Sequence, residues 1–404
     1  MRKLALISSL ATLAALGTFA APLHAQTLRE AVDAAWARQP AARALAARQN
    51  EFTARHEAAD GILSGPPAAT LANRNDRLQR NDGLTEWEAG IALPLWLPGY
   101  QKRTLALIER ERDAFAALAD EARWRLAGEV RERWWQHRLT ENERMLAERR
   151  VAASRRLLAD VETRVRAGDL PRIDLNQARS AEAAAKAVLA VAEARQQRST
   201  RSFLTLTGLP SLPAAEGMNE KPQEADPAAT HPALAPLERA VDAARARLHI
   251  ASGNVRDLPE LAFAMRRERP LDGASWEGSA GIEIRIPLAT DARNRPRVAA
   301  ANAELIEAEA RIPYVREQIA AESEAARHEL ARAIEAAERA ELRHRLSTET
   351  EREYARAFAL GNIDLPQRLR VEADAFDAEL AAARARIEAA RAVSRYNQAI
   401  GVLP

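Results

Sequence analysis

The sequence predicts a mainly α-helical protein with a small β part, built as an internal twofold repeat of long helical hairpins. The stretch from Arg103 to Ala167 has no proline and a single glycine, and it is dense in strong helix formers. Landmark residues recur 193 positions apart. Four short segments alternate apolar and polar residues, as half-buried strands do.

The N-terminus is typical of a secretory signal peptide covering residues 1–25. Arg2 and Lys3 supply the charged region, residues 4–20 are apolar, and residues 23–25 resemble a cleavage site. The alternative is an N-terminal membrane anchor, against which the cleavage-like Ala25 argues. We therefore expect the chain to be exported.

Composition excludes several classes of protein. The chain has 59 Lys and Arg against 57 Asp and Glu, and loss of residues 1–25 removes only Arg2 and Lys3, which leaves 57 against 57. This balance does not favour a nucleic-acid partner. Because the chain has no cysteine, disulfides, thiol chemistry and an acylated cysteine are excluded. After residue 25 there is no apolar run of about 18 residues, so any membrane span must use strands.

The chain divides into two repeats. Gly168 and Gly361 begin matching motifs, and Pro94 and Pro287 keep the same spacing. We assign the first repeat to residues 26–215, a Pro- and Ala-rich linker to 216–227 and the second repeat to 228–404. A unit of this length is a doubled domain and not a short solenoid repeat.

The sequence of each repeat predicts short helices, two strands, a long helix and a return helix. In the first repeat the strands fall at about 67–77 and 84–97, the long helix at 100–167 and the return helix at 172–207. In the second they fall at about 258–268, 275–288, 298–360 and 365–400. Sixty-five helical residues span roughly 97 Å, and a narrow apolar stripe of that length needs partner helices. Pro313 predicts a kink or break in the second long helix.

The strands are two-faced, with one face against an apolar environment and the other against water. The first strand fits this pattern weakly. In a soluble protein four such strands could pack as a sandwich. The alternative is a lipid-facing wall, in which several chains must share one barrel because four strands cannot close one. The residues expected to face lipid are Trp87, Ile91, Leu93, Leu261, Phe263, Trp276, Ile282 and Ile284.

In this order and spacing the chain resembles the TolC-like outer membrane factors over essentially its whole length after residue 25. The resemblance is carried by the duplicated plan, the strand exits 93–95 and 286–288, and the turns 166–170 and 359–365. It implies a homotrimer in which each chain gives four strands to a 12-stranded outer-membrane β-barrel, while the helices form a periplasmic α-barrel. The turns resemble those of the branch that serves heavy-metal cation pumps.

The resemblance also implies partners: outer-membrane lipid, a periplasmic adaptor and, through it, an inner-membrane efflux pump. The residues expected at the adaptor contact are Arg166, Gly168, Asp169, Leu170, Gly361, Asn362 and Ile363.

Acidic residues near the turns have two interpretations. Asp169, Asp174 and Asp364 are placed to cap helices. Alternatively, copies around an axis would form an acidic gate that draws cations. In related channels acids lie a few residues beyond the second glycine, where this chain has Gln367 and Arg370. Arg370 is therefore a candidate latch to Asp364.

Catalytic motifs are not found. His328-Glu329 begins a zinc-protease pattern, but position 332 is Arg. We expect no enzyme, no bound metal and no cofactor. The sequence favours a passive efflux duct in the outer membrane, with heavy-metal cations as substrate. Drug efflux or type I secretion by the same fold is an alternative, and a soluble periplasmic coiled-coil scaffold or adaptor is an alternative of another class.

Overall fold

A computed structural model describes residues 27–78, 81–253 and 256–404. The predicted signal peptide lies outside these residues. The first half runs through α1 (Leu28–Arg38), α2 (Pro40–Asp60), β1 (Ala68–Asn75), β2 (Thr85–Pro94), α3 (Tyr100–Ala167) and α4 (Arg172–Thr207). The second half follows through α5 (Ala215–Met218), α6 (Pro227–Thr230), α7 (Ala235–Gly253), β3 (Glu260–Arg269), β4 (Glu277–Arg285), α8 (Asp291–Ala359) and α9 (Leu365–Ala399).

Both halves place two strands before a long helix and its return helix. This confirms the predicted fold class, which is mainly α-helical with a small sheet and an internal repeat. The two long helices contain 68 and 69 residues, so each spans roughly 100 Å. None of the helices within the described ranges is both long and apolar enough to cross a lipid bilayer.

The four strands form one antiparallel sheet in the order β1-β2-β3-β4. The central pair, β2 and β3, joins the two repeats, and Ile91 lies opposite Phe263 in its register. Within the described residues β1 and β4 each pair with one neighbouring strand only, so the sheet has two open edges, and every residue of these two strands is exposed. Both hairpin turns lie at one end of the sheet, which we call the distal end. The helices join the opposite end.

The strand register places apolar side chains on one face of the sheet and most charged side chains on the other. One face, the apolar face, contains rows such as Leu71, Ala89, Met265 and Ala280. The charged strand residues on this apolar face are Arg267 and Arg269, and none of the acidic strand residues lies on it. The opposite, polar face has six acids and three arginines: Glu86, Glu88, Glu260, Glu268, Glu277, Glu283, Arg74, Arg266 and Arg285. On that face Glu86 is buried, and its carboxylate lies 2.9 Å from Arg266 Nε.

An apolar core lies where α1 crosses the middle of α3 and the end of α4. Leu126, Val130 and Trp134, part of the stripe on α3, are buried there together with Phe203 of α4 and Met218 of α5. In the same core, Trp135 Nε1 donates to Ser394 Oγ of α9 at 2.8 Å. The first long helix is therefore packed against elements of both repeats.

The segment between the repeats is fastened to this core by polar contacts. Glu220 accepts two hydrogen bonds from Arg131, from Nε at 2.9 Å and from Nη2 at 2.7 Å. Arg131 also donates to Gln398 and to the Val402 carbonyl. Asn397 donates to the Lys221 carbonyl at 2.9 Å. We call this set of residues the linker clasp, because it ties the linker to α3 and to the end of α9.

Helix α8 differs from the prediction at two prolines. It begins at Asp291, seven residues before the predicted start, and it passes through Pro296 and Pro313. The predicted break at Pro313 is therefore wrong, whereas a kink there stays a prediction. A proline removes one backbone donor, but buried Ala301 and Ile319 hold the helix on either side of Pro313. Packing along the rest of the helix offsets the lost hydrogen bond.

Candidate functional site

The turn that joins α3 to α4 and the turn that joins α8 to α9 have nearly the same backbone geometry. Gly168 and Gly361 adopt left-handed conformations with φ of 90° and 80°. After each glycine an amide closes the helix end: Asp169 N donates to the Arg164 carbonyl, and Asn362 N donates to the Ala357 carbonyl, both at 2.9 Å. A side chain at either glycine would meet no atom within 4 Å. The glycines are therefore used for their backbone conformation and not for close packing.

Apolar side chains join the first turn to the second. Val161, Ala178, Phe358 and Leu365 are buried together. Leu170 and Ile363, predicted at the adaptor contact, pack against them half-buried. We call this group the tip cluster.

Arg164 adds a polar link between the turns. Its guanidinium lies 5.0 Å from the centre of the Phe358 ring, and its Nη1 donates to the Phe358 carbonyl at 3.2 Å. The same side chain forms an ion pair with Asp160 at 3.2 Å. Both hairpins therefore end in one packed unit.

The acids at the turns have different environments. Asp364 caps α9, because its carboxylate accepts a hydrogen bond from Gln367 N at 2.9 Å. Asp174 is buried in the first turn of α4, and that burial, followed by repulsion from the Asp364 charge, raises its pKa. Asp169 is exposed. The structure therefore brings Asp174 and Asp364 together and leaves Asp169 at the surface.

The predicted latch between Arg370 and Asp364 is not formed. Arg370 is exposed, and among the described residues it has no ion pair with Asp364. Arg368, two positions earlier, is the arginine that faces inward. Its Nη2 lies 2.8 Å from the Glu351 carboxylate, and its Nε lies 3.9 Å from Glu372. Nothing in the local sequence pattern distinguishes Arg368 from the many other arginines of these helices, so its inward position was not predictable.

A groove of about 720 Å³ lies behind the tip cluster, between α3, α8 and α9. Asp160, Arg164, Glu351 and Arg368 line it together with Glu372. Glu372 is nine-tenths buried, and burial raises its pKa against the opposing effect of Arg368. The groove is therefore lined by charges of both signs. Within the described ranges no cluster of three or more metal-ligating His, Cys, Asp or Glu side chains occurs.

The residues expected to face lipid lie on the sheet. By register, Trp87, Ile91, Leu93, Leu261, Phe263, Ile282 and Ile284 share the apolar face. Trp276 immediately precedes β4. Several of these side chains are open to the surroundings, with Ile282 70% and Ile284 62% exposed. The sheet thus presents an apolar surface that the described part of this chain does not cover.

Solved structures of outer membrane channels resemble the chain over nearly all of its length. The open-state MtrE outer membrane channel of Neisseria gonorrhoeae matches at 17% identity and a TM-score of 0.74, covering 93% of this chain and 89% of that one. The CmeC outer membrane channel of Campylobacter jejuni matches at 13% identity and 0.71, covering 93% and 85%. CusC, which forms a transmembrane channel, matches at 14% identity and 0.74, covering 93% and 92%.

The chain has the fold of these outer membrane channels. The TolC-like fold expected from the sequence is thereby confirmed. No protein-family model and no curated protein matches the chain. In this channel fold the sheet lies at one end of the long helices, and the α3–α4 and α8–α9 turns lie at the other end.

Proposed function

We propose that the chain is one subunit of an outer-membrane exit duct in a tripartite efflux system. The observation that carries this proposal is a sheet with one exposed apolar face and two open edges, set at the end of long helical hairpins in an outer-membrane-channel fold. The duct does no chemistry and conducts its substrate passively.

The sheet supports a shared barrel. Unpaired strand edges are not tolerated in hydrocarbon, and about eight strands make the smallest membrane barrel. Four strands per chain therefore need other copies, and three copies would pair β1 of one with β4 of the next to give twelve strands. The six acids and three arginines of the polar face would then line the lumen. The apolar face would meet outer-membrane lipid.

The helices support a periplasmic tube continuous with that barrel. Helix α8 carries exposed apolar side chains at intervals along its length, at Ile306, Tyr314, Ile334, Leu342 and Leu346. Such side chains on a helix of roughly 100 Å need neighbouring helices. Helices of adjacent copies would cover them in a homotrimer.

The turns are the proposed contact with a periplasmic adaptor, and through it with an inner-membrane pump. Arg166, Gly168, Asp169, Gly361 and Asn362 are exposed at the end of the molecule farthest from the sheet. Backbone groups fixed by the two glycines would offer an adaptor a repeated shape.

The proposed substrate is a heavy-metal cation. Its support is the likeness of the turns to the heavy-metal branch and the pair of Asp174 and Asp364, which repeated around an axis would concentrate cations at the tube mouth. Drug efflux and type I secretion use the same fold and are the alternatives. A soluble scaffold is less well supported, because Leu71 and Met265 are 75% and 71% exposed on a face that a scaffold would have to bury.

The test is conductance of the purified protein in planar lipid bilayers. We expect detergent-extracted trimers that form cation-preferring pores, with the preference reduced in the double variant Asp174→Asn/Asp364→Asn and retained in the exposed control Asp169→Asn. Equal preference in all three proteins would remove the acidic mouth from the proposal. A water-soluble monomer without conductance would overturn the duct itself.

A further inference from the structure

The distal end of the apolar face carries an arginine and tryptophan cluster. Arg267 and Arg269 of β3 approach the ring of Trp276, with guanidinium carbons 5.3 and 5.7 Å from its centre. These are the only charged residues on the apolar face within the described strands. A cation placed on an otherwise apolar surface calls for an anionic partner or an aqueous boundary.

The two arginines differ in their partners. Arg269 is half-buried and forms an ion pair with Asp272 at 3.0 Å. Arg267 is exposed, and no carboxylate pairs with it in the described part of the chain. Stacking on Trp276 holds its guanidinium in place and leaves the N–H groups available. Arg267 is therefore the cation of this face that is free to bind an anion.

A shallow groove of about 510 Å³ adjoins Arg267 on the sheet. Small residues of neighbouring rows, Ala89, Gly278 and Ala280, leave room between the larger side chains of Leu71, Trp87 and Met265, which also line it. The intervening Glu88, Arg266 and Ser279 complete the lining, and the register puts their side chains on the opposite face. The groove is thus apolar along its length and has one cation at its edge.

The position of Arg267 fits a headgroup boundary. From Leu261, near the helices, to Arg267 the strand advances six residues, or about 20 Å. The apolar band of membrane barrels is about 25 Å tall and is edged by aromatic residues. Trp87 lies opposite Arg267, and Trp276 lies two residues before Gly278, the other partner of Arg267, so both rings are near the end remote from the helices. An amphiphile lying along this face would have its polar end at the arginine.

We infer that this groove is a binding site for a membrane lipid whose phosphate-bearing headgroup carries a net negative charge. One acyl chain lies over Ala89 and Ala280, and the phosphate accepts hydrogen bonds from the Arg267 guanidinium. The lipid belongs to the leaflet remote from the helices. The inference rests on the proposed function, since it needs the apolar face to meet a bilayer.

The experiment measures tryptophan quenching by lipids whose acyl chains carry bromine. The trimer is reconstituted with brominated phosphatidylglycerol in phosphatidylcholine, and separately with brominated phosphatidylcholine in phosphatidylglycerol. The signal of Trp276 is the difference between the parent protein and Trp276→Phe. The variant that removes the proposed phosphate contact is Arg267→Gln. The matched control is Arg74→Gln, which removes an exposed arginine from the same end of the polar face. A third variant, Arg267→Lys, keeps the positive charge.

We expect quenching of Trp276 to favour the anionic lipid about fivefold, the size of one basic contact to an anionic lipid surface. The preference should disappear in Arg267→Gln and persist in Arg74→Gln and Arg267→Lys. Equal quenching by both lipids would overturn the site while leaving the duct intact. Quenching by neither lipid would overturn the membrane contact itself, and so the proposed function as well. Loss of the preference on adding inorganic phosphate would show that the site takes the free anion and not the lipid.

Discussion

Arg131 and Glu220 form a bidentate ion pair inside the helical region, with nitrogen–oxygen distances of 2.9 and 2.7 Å. Arg131 is 2% exposed, so the pair is shielded from water. It lies between the first long helix and the linker that joins the repeats. The linker, although rich in proline and alanine, is therefore a fixed part of the structure.

Removing one side of this pair should be costly. In Arg131→Ala the Glu220 carboxylate, 12% exposed, would lose its cationic partner and keep only the hydrogen bond from Asn397 Nδ2 at 3.4 Å. The free energy of unfolding should therefore fall by about 3–5 kcal/mol. Arg125→Ala on the same helix is the control, because that arginine is 71% exposed in its ion pair with Glu121, and such pairs contribute about 1 kcal/mol or less. Thermal melting followed by circular dichroism at fixed protein concentration compares them. Equal melting temperatures for the two variants would contradict the prediction.

Acidification should destabilise the helical region through His137. The ring is 1% exposed, with Nδ1 3.2 Å from Thr200 Oγ1, and burial lowers its pKa. Since the folded state resists protonation, stability is full above about pH 6.5, where the unfolded state is also neutral, and falls as the pH drops below that value. His231 has a lowered pKa for the same reason. Melting temperatures between pH 7.5 and 5 test this.

The matched variant for this prediction is His137→Gln, which should show a weaker loss of stability on acidification than the parent. His328→Gln, at a histidine whose side chain is 74% exposed, is the control and should follow the parent. A parent curve that is flat below pH 6.5 would rule out the mechanism.

Alanine at either turn glycine should strain the backbone without a clash. Gly168→Ala and Gly361→Ala must hold a side chain at positive φ, which costs about 1–2 kcal/mol, although nothing lies within 4 Å of the new carbon. Asparagine tolerates that region better and should cost less. Hydrogen exchange of the turn amides is the measurement. Gly281→Ala, where the added carbon also meets open space and φ is not positive, is the control.

Neutralising Asp174 should tighten the tip at neutral pH. Its folded pKa is raised, so its contribution to stability is complete only at low pH and is lost as the pH rises through that raised value. Asp174→Asn removes the repulsion with Asp364. Hydrogen exchange of the backbone amides in the first turns of α4 and α9 should therefore slow by a few-fold. Asp364→Asn should behave alike because asparagine also caps a helix, whereas Asp364→Ala loses the cap at a cost of about 1 kcal/mol. Faster exchange in Asp174→Asn would refute this account.

A lysine should be tolerated on one face of β4 and not on the other. Ala280 and Ser279 are adjacent exposed residues on the apolar and polar faces. In a bilayer Ala280→Lys should cost about 2–4 kcal/mol, whereas Ser279→Lys would point into the lumen of the proposed barrel and should be nearly neutral. Folded trimer recovered in membranes measures both. Equal yields would favour a sheet that stays in water.

The fold class was predictable because its signals are periodic. The alternation around Ile282 and the proline-free run after Arg103 each report a local geometry, and the spacing of Gly168 and Gly361 reports the repeat. The start of α8 was not predictable, since Pro296 is a helix breaker in isolation and only packing shows that it is tolerated.

The tip was predictable only in part. Positive-φ glycines and the capping role of Asp364 follow from turn chemistry. Which arginine turns inward depends on how the two hairpins are rotated against each other, and no local pattern encodes that rotation. Arg368 and Arg370 are therefore indistinguishable in sequence, although only Arg368 contacts Glu351 in the structure.

The linker clasp has a mechanical consequence for the tip. Arg131 anchors α3 to the linker and α9, and Gly168 lies 37 residues farther along, or about 55 Å for a helix. Beyond the clasp α3 stays joined to α9, for example by the ion pair of Arg149 and Glu379 at 2.9 Å, so the hairpins would tilt about the clasp as one body. In the proposed duct a tilt of only about 5° there would swing the turns by about 5 Å, so a small torque from an adaptor at the far end would suffice to widen the mouth.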